Sequence, residues 1–318
     1  ANTYRNEGNN VVSHDAIAIG TNATGTGDKA VKIGGENVFP LYSFDAAIEN
    51  APKVGIEITD FGMEHEPECI KKYYEGCATL ADMARKAASM EGVDFLSFRM
   101  EGGDPNGANK STEELIGELK EIADAVDLPL VVCGCKNVEK DAELFSKAAE
   151  ALNGKNAVIL SAKEENYKTV GAAAGLAYKQ VVGAESAVDI NLAKQLNVLI
   201  SQLGVDSKSV VMNVGTAAVG YGFEYVISTM DRVKAAALQQ GDANLQMPII
   251  TPVASEAWGV KEAMASETDA PEWGSQEERG IDMEVETAMA VIAAGSNAVI
   301  LKHPESIKII SGLMKELV

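Results

Sequence analysis

Between Val54 and Leu301 the apolar and β-branched residues gather into eight short runs, and each run is followed by a stretch long enough for a helix. The runs are Lys53–Ile58, Val93–Phe98, Leu128–Val132, Ala157–Leu160, Gln180–Gly183, Ser209–Asn213, Pro248–Thr251 and Ala298–Leu301. Thr112–Ala125 shows what lies between them: Leu115, Ile116, Leu119, Ile122 and Ala123 repeat at helical spacing among Glu and Lys. A helix between successive strands makes the strands parallel, and eight such units in about 250 residues is the usual length of a TIM (β/α)8 barrel. The predicted fold is therefore α/β, a TIM barrel. The fifth run is the weakest, so an open sheet of seven strands is the structural alternative.

Ahead of the barrel, Asp15–Ile19 and Lys29–Ile33 alternate apolar and polar residues and are separated by a Gly, Thr and Asn-rich stretch from Gly20 to Asp28, the pattern of a β-hairpin. Gly25-Thr-Gly27 reads as a turn needing positive φ, because no helix follows it to make a phosphate-binding dipole. Residues 1–50 are thus expected as an N-terminal extension that closes one end of the barrel or joins a subunit contact, and residues 51–318 as the barrel.

Composition narrows the function. With 318 residues and 46% hydrophobic content, the chain can bury a full core. Its 27 Lys and Arg against 47 Asp and Glu give a net charge of −20, with a sequence pI near 4.6. Such a charge repels nucleic acid and anionic membrane, so neither is expected as a partner. No apolar run approaches the ~20 residues that span a bilayer, and no signal segment opens the sequence, which makes cytoplasm the expected location. The four cysteines suit a reducing compartment; only Cys133 and Cys135 are close in sequence, and the set lacks the tight spacings of a zinc or iron-sulfur site. His14, His65 and His303 are too scattered for a histidine metal site. No metal ligand is assigned to this chain.

Barrel enzymes keep their chemistry on the loops after the strands. Here these supply Thr59 and Asp60; Arg99, Glu101, Asp104 and Asn106; Cys133-Gly-Cys135; Ser161; Glu185 and Asp189; the loop from Asn213 to Tyr225; Thr251 to Trp258; and Lys302-His303-Pro304. No nucleophile with its base emerges, and no catalytic residue is assigned. Glu57 reads as a barrel-interior carboxylate paired with Arg99, although Glu57, Arg99 and Glu185 would be the acid-base groups if the chain were a hydrolase or lyase. In the Gly215–Gly222 loop, Gly215, Gly220 and Gly222 with the small Thr216, Ala217 and Ala218 let a large flat ligand approach the backbone; the plainer reading is a flexible loop. Trp258 and Trp273 read as anchors of the long segment after the seventh run, or as a subunit contact. His303 reads as a hydrogen bonder at a strand end, with Pro304 opening the last helix.

Nine stretches in order then resemble one family, the small (delta) subunit of the corrinoid iron-sulfur protein of the acetyl-CoA decarbonylase/synthase pathway. They are Val54–Ile58, Asp104–Asn109, Pro129–Cys135 with Val138–Asp141, Glu165–Lys168, Asp189–Asn197, Gly220–Tyr225, Glu256–Trp258, Glu278–Gly280 and His303–Glu305. The resemblance implies a TIM barrel that pairs as a heterodimer with a large (gamma) subunit carrying the iron-sulfur cluster, with a corrinoid (cobamide) between the two. It implies a part in methyl transfer from a methyl-tetrahydropterin or methyl-tetrahydrofolate, through a separate methyltransferase and methyl-Co(III), to acetyl-CoA synthase. The barrel mouth would then cap the corrinoid, excluding water and swinging aside for partners. The residues expected to meet the corrin are Cys133, Ser161, Asn213, Gly215, Thr216, Gly220, Tyr221 and Gly222. The barrel also looks like the pterin-dependent methyltransferases, which read the pterin edge with acidic or amide groups; the matching positions here are Cys133, Asn213 and Pro252 or Val253. Asp60, Glu101 and Asp104 could rebuild a pterin site, and that reading remains the enzyme alternative.

Overall fold

The computed structural model describes residues 22–318 in full, together with the backbone of Thr3–Arg5 and Val11–Ser13, which pair as antiparallel strands. Eight parallel strands form one sheet: β1 (Lys53–Thr59), β2 (Phe95–Arg99), β3 (Leu130–Cys133), β4 (Val158–Ala162), β5 (Val181–Glu185), β6 (Val210–Asn213), β7 (Ile250–Pro252) and β8 (Ala298–Leu301). Neighbours in sequence pair throughout, β8 returns to β1, and a single parallel bridge, Met212 to Ile249, joins β6 to β7 and nearly closes the ring. The weak fifth run is a strand paired on both sides, and the open seven-stranded sheet is excluded.

Among the described residues, eight helices cover the ring: α1 (Leu80–Ala88), α2 (Thr112–Ala125), α3 (Val138–Ala151), α4 (Tyr167–Val170, continued by a π-helical turn at Gly171–Ala177), α5 (Ile190–Gln202), α6 (Phe223–Leu238), α7 (Gln276–Ala294) and α8 (Pro304–Leu317). Their starts carry the polar caps that free N–H groups require: Ser111, Asn137, Asp189 and Ser275 each accept a backbone N–H of the first turn.

Side chains alternate across each strand, so the core has two parts. Leu96, Phe98, Val132, Ile159, Val182, Met212, Val299 and Leu301 pack against the helices, while Phe95, Val131, Cys133, Val158, Leu160, Val211, Ile250 and Ile300 fill the barrel. Gly55 makes room for that filling, since a Cβ there would lie 2.2 Å from the Phe95 ring.

The interior cluster also contains Ile33, which enters from outside the ring. It belongs to an antiparallel hairpin of Asn22–Thr24 and Val31–Ile33, turned through Gly25 and Gly27 at positive φ. The expected hairpin is present, but its first strand is not Asp15–Ile19, which lies outside the described residues. Asn22-Ala-Thr24 shows no apolar alternation; it is held by polar anchors instead, with Asn22 Nδ2 donating to Lys208 O and Gly25 N donating to Asn156 O at the starts of β6 and β4. Ile33 therefore plugs the N-terminal end of the barrel and leaves the C-terminal end as the open one. Residues 34–52 continue across this closed end, pinned where Lys234 Nζ meets Glu36 at 2.9 Å and Asn297 at 3.0 Å.

Candidate functional site: the barrel mouth

Beyond the last apolar layer, the strand ends enclose a cavity of about 240 Å³, lined by Arg99, Cys133, Ser161, Asn213, Gly215 and Thr216 among others. A second lobe of about 380 Å³ adjoins it on the β1 and β8 side, sharing Arg99, Gly134, Lys136 and Ser255. Arg99 stands between the lobes. Its Nε donates to Glu57 Oε2 at 3.1 Å; burial opposes its charge, but the Glu57 carboxylate holds its pKa above the ordinary arginine range. The two groups form the expected structural pair inside the barrel.

The main lobe is lined by charged side chains, Arg99, Lys136, Asp141, Lys163, Glu185 and Glu256, and by the neutral groups of Cys133, Ser161, Asn213, Thr216 and Ser255. Asn213 Nδ2 donates to Ser161 Oγ at 3.1 Å, and Asn213 Oδ1 accepts Gly215 N–H at 3.1 Å, so the amide is fixed at both ends and Ser161 keeps its own proton for a ligand. Thr216 Oγ1 is buried with no partner. The Cys133 thiol lies 3.5 Å from Ser97 Oγ, and burial pushes it up to about 11, which keeps it a neutral thiol. Gly134 is fixed by sterics: a Cβ there would lie 2.1 Å from Asp141 Oδ1, the atom that accepts Cys135 N–H at 2.7 Å. Burial raises the Asp141 carboxyl above its usual range despite that bond.

Two ion pairs sit on the rim of this lobe, Lys163 with Glu185 at 3.6 Å and Lys136 with Glu256 at 3.7 Å. Lys136, Asp141 and Lys163 were not foreseen as site residues. Their only signal was position, one to eight residues after a strand end, and that signal does not separate lining residues from others.

Five of the eight expected contact residues, Cys133, Ser161, Asn213, Gly215 and Thr216, line the cavity. Gly220, Tyr221 and Gly222 do not. The loop is pulled inward as far as the buried Ala218, then Val219 N–H bonds Thr287 Oγ1 on α7 and the chain turns away over the rim. There Gly220 borders a shallow depression along α6, Tyr221 donates to Glu262 at 2.6 Å, and Gly222 precedes α6 at φ +79. Two of the acids that a pterin site would draw on line only the second lobe, Glu101 and Asp104. The third, Asp60, is buried and already bonded by Gly102 N–H and Lys110 Nζ. Asp189 is spent as the α5 cap.

Three of the quoted stretches converge beside the second lobe. Trp258 is buried, stacks on the His303 ring at 6.0 Å between centroids, and lies where a Cβ on Gly280 would be, 2.2 Å from its ring. It anchors the segment after β7, as expected. Trp273 is exposed, with the cations of Lys261 and Arg279 over its ring. His303 Nδ1 accepts Glu305 N–H and so caps α8, which places the ring proton on Nε2, facing Glu277 at 2.9 Å. Burial holds the His303 pKa below its usual value even with that carboxylate beside it. Behind it Glu284 accepts the N–H groups of Lys302 and His303, and burial pushes its carboxyl up to about 7.

Residues 17–314 match the family model described as "CO dehydrogenase/acetyl-CoA synthase delta subunit". Among curated relatives, the acetyl-CoA decarbonylase/synthase complex subunit delta 1 of Methanosarcina thermophila is 30% identical over 92% of this chain and 67% of its own length. The delta subunits of Archaeoglobus fulgidus and Methanopyrus kandleri are 31% and 33% identical, each over 92% of this chain and over 65% and 71% of their own lengths. The chain thus spans about two thirds of the length of these relatives. Among solved structures, dihydropteroate synthase from Thermus thermophilus in complex with 6HMPPP superimposes with a TM-score of 0.55 at 12% identity, covering 93% of this chain and 100% of that one. Dihydropteroate synthase from Xanthomonas albilineans with 4-aminobenzoic acid gives 0.53 at 14% identity, over 85% and 93%. These two likenesses concern the fold alone.

Proposed function

Because the chain belongs to the CO dehydrogenase/acetyl-CoA synthase delta subunit family, we propose that its barrel mouth caps a corrinoid held together with a large partner subunit, in a cytoplasmic complex that passes methyl groups to acetyl-CoA synthase. The observation that carries this reading is the lining of the main lobe: a fixed Asn213–Ser161 pair, a buried Thr216 hydroxyl without a partner, and the backbone of Gly215 bare of a side chain. These neutral groups can hydrogen-bond the amide edges of a wide, mostly apolar macrocycle, and the lysines of the lobe are paired with carboxylates, leaving no excess charge to draw in a small anion. A bound corrinoid supplies a cobalt centre that accepts and releases a methyl group. The residues of this chain hold the edge of the ring and keep water from its face, with Cys133 contributing a neutral thiol and no base. The iron-sulfur cluster belongs to the partner in this reading, and the methyl donor reaches the cobalt through a separate methyltransferase.

A pterin-dependent methyltransferase is supported less well. Asp60 is consumed by Gly102 and Lys110, and Glu101 and Asp104 are separated from the main lobe. A hydrolase or lyase is supported less well again, because Glu57 is held by Arg99.

The test is a visible-absorbance titration of methylcobalamin into this chain alone and into the chain copurified with its large subunit, with methyl-tetrahydrofolate binding followed in parallel. Corrinoid retained by the pair and not by the barrel is the expected result. Saturable pterin binding by the isolated barrel would replace the capping role with a methyltransferase.

A further inference from the structure

The charged residues lining the main lobe balance one another, Arg99, Lys136 and Lys163 against Asp141, Glu185 and Glu256. Two of their pairings are unusually loose. Lys163 and Glu185 are 3.6 Å apart and Lys136 and Glu256 3.7 Å apart, both beyond hydrogen-bond reach, whereas Lys302–Glu66 and Lys234–Glu36 close to 2.9 Å. The Lys163 and Glu185 side chains are about one third exposed, 30% and 29%, and both line the cavity. An open pair of this kind offers an acceptor and a donor side by side without net charge. One primary amide fills both, its N–H₂ donating to the carboxylate and its C=O accepting from the ammonium, in two charge-assisted bonds. A carboxylate in the same place finds a donor in the lysine but faces the glutamate as a like charge.

We propose that Lys163–Glu185, with Lys136–Glu256 as a second and more exposed copy, is an amide clamp that selects a ligand by its neutral primary carboxamides and rejects the corresponding acids. This inference rests on the corrinoid-capping reading, since a corrin ring carries primary amides around its rim.

The experiment uses the copurified pair and two kinds of probe, aquocobalamin and its separated monocarboxylic acids, with binding followed by equilibrium dialysis and visible absorbance. The wild-type pair is expected to bind at least one monocarboxylic acid about tenfold more weakly than aquocobalamin, the ratio that one lost charge-assisted hydrogen bond corresponds to. In a Lys163→Met, Glu185→Gln variant, checked for folding by circular dichroism, that ratio should shrink to about threefold or less, the remainder resting on Lys136–Glu256. Equal binding of all probes by the wild-type pair overturns the clamp and leaves the cap standing. Undiminished discrimination in the variant removes Lys163–Glu185 from the selection and also overturns the clamp. Failure of the wild-type pair to hold any probe overturns the capping function and this inference with it.

Discussion

Single atoms decide several features of the second lobe. Gly280 is the clearest case, because the Trp258 ring occupies the space of its missing Cβ. Gly280→Ala is expected to cost about 2–3 kcal/mol, typical of overpacking a rigid site, and to push Trp258 off His303. Urea denaturation followed by tryptophan fluorescence reads both effects, and an unchanged midpoint would mean that α7 slides aside freely. The neighbouring His303 carries a second prediction. Its native pKa is depressed by burial, so the fold holds the proton less tightly than the unfolded chain, which takes one up near pH 6.5. The unfolded state therefore binds more protons below that pH, and His303 withdraws stability as the pH falls. In an NMR titration the midpoint of its ring carbon-bound protons should fall below 6.5. A midpoint at or above 6.5 would contradict burial of the neutral Nε2–H tautomer held by Glu305 N–H and Glu277.

The segment between β7 and α7 is the element most dependent on one residue. Arg279 on α7 donates to the carbonyls of Glu262 and Ala265, its cation lies over Trp273, and Gln276 Nε2 adds a bond to Met264 O. Arg279→Lys keeps the charge but loses the planar fork that reaches two carbonyls at once. Residues 259–275 should then become the first site of trypsin or chymotrypsin cleavage, with about 1–2 kcal/mol lost from global stability; cleavage kinetics indistinguishable from wild type would show that Trp258 alone suffices as anchor. The barrel was legible because most strands are apolar on both faces and the long helices carry a 3.6-residue stripe; Thr112–Ala125 and Ala298–Leu301 coincide with their predicted bounds. The first strand of the hairpin was not legible, because Asn22-Ala-Thr24 is placed by polar anchors to distant carbonyls and not by apolar alternation. The mouth was half legible. Residues directly at strand ends, such as Cys133, Ser161 and Asn213, fall where the barrel puts them, but the course of the Gly215–Gly222 loop depends on the Val219 contact with Thr287, far away in sequence. The Lys163–Glu185 and Lys136–Glu256 pairs also join separate loops, and no spacing rule brings such residues together.

For the whole molecule, the dominant long-range term is a net charge of −20 on a chain of 318 residues. A folded chain of this length has a radius of gyration of about 20 Å. At 10 mM salt the Debye length is about 30 Å, so every excess carboxylate feels the others; at 150 mM it is about 8 Å and only neighbours interact. The compact state suffers this repulsion more than the expanded one does. Salt also weakens exposed pairs such as Lys71–Glu68 and Arg85–Asp82, but solvent already screens these, and the buried Lys234–Glu36 pair is screened far less. The repulsion should prevail. Raising sodium chloride from 10 to 150 mM is expected to increase the melting temperature by about 2–4 °C, the shift that roughly 1 kcal/mol produces in a domain of this size. Differential scanning calorimetry at constant pH measures it directly, and a melting temperature that is flat or falls with salt would mean that the acidic residues are spaced so that local pairing outweighs their mutual repulsion. The same field bears on assembly: a partner surface that meets this chain with excess lysine and arginine gains in association rate at low salt, while a second copy of this chain is repelled.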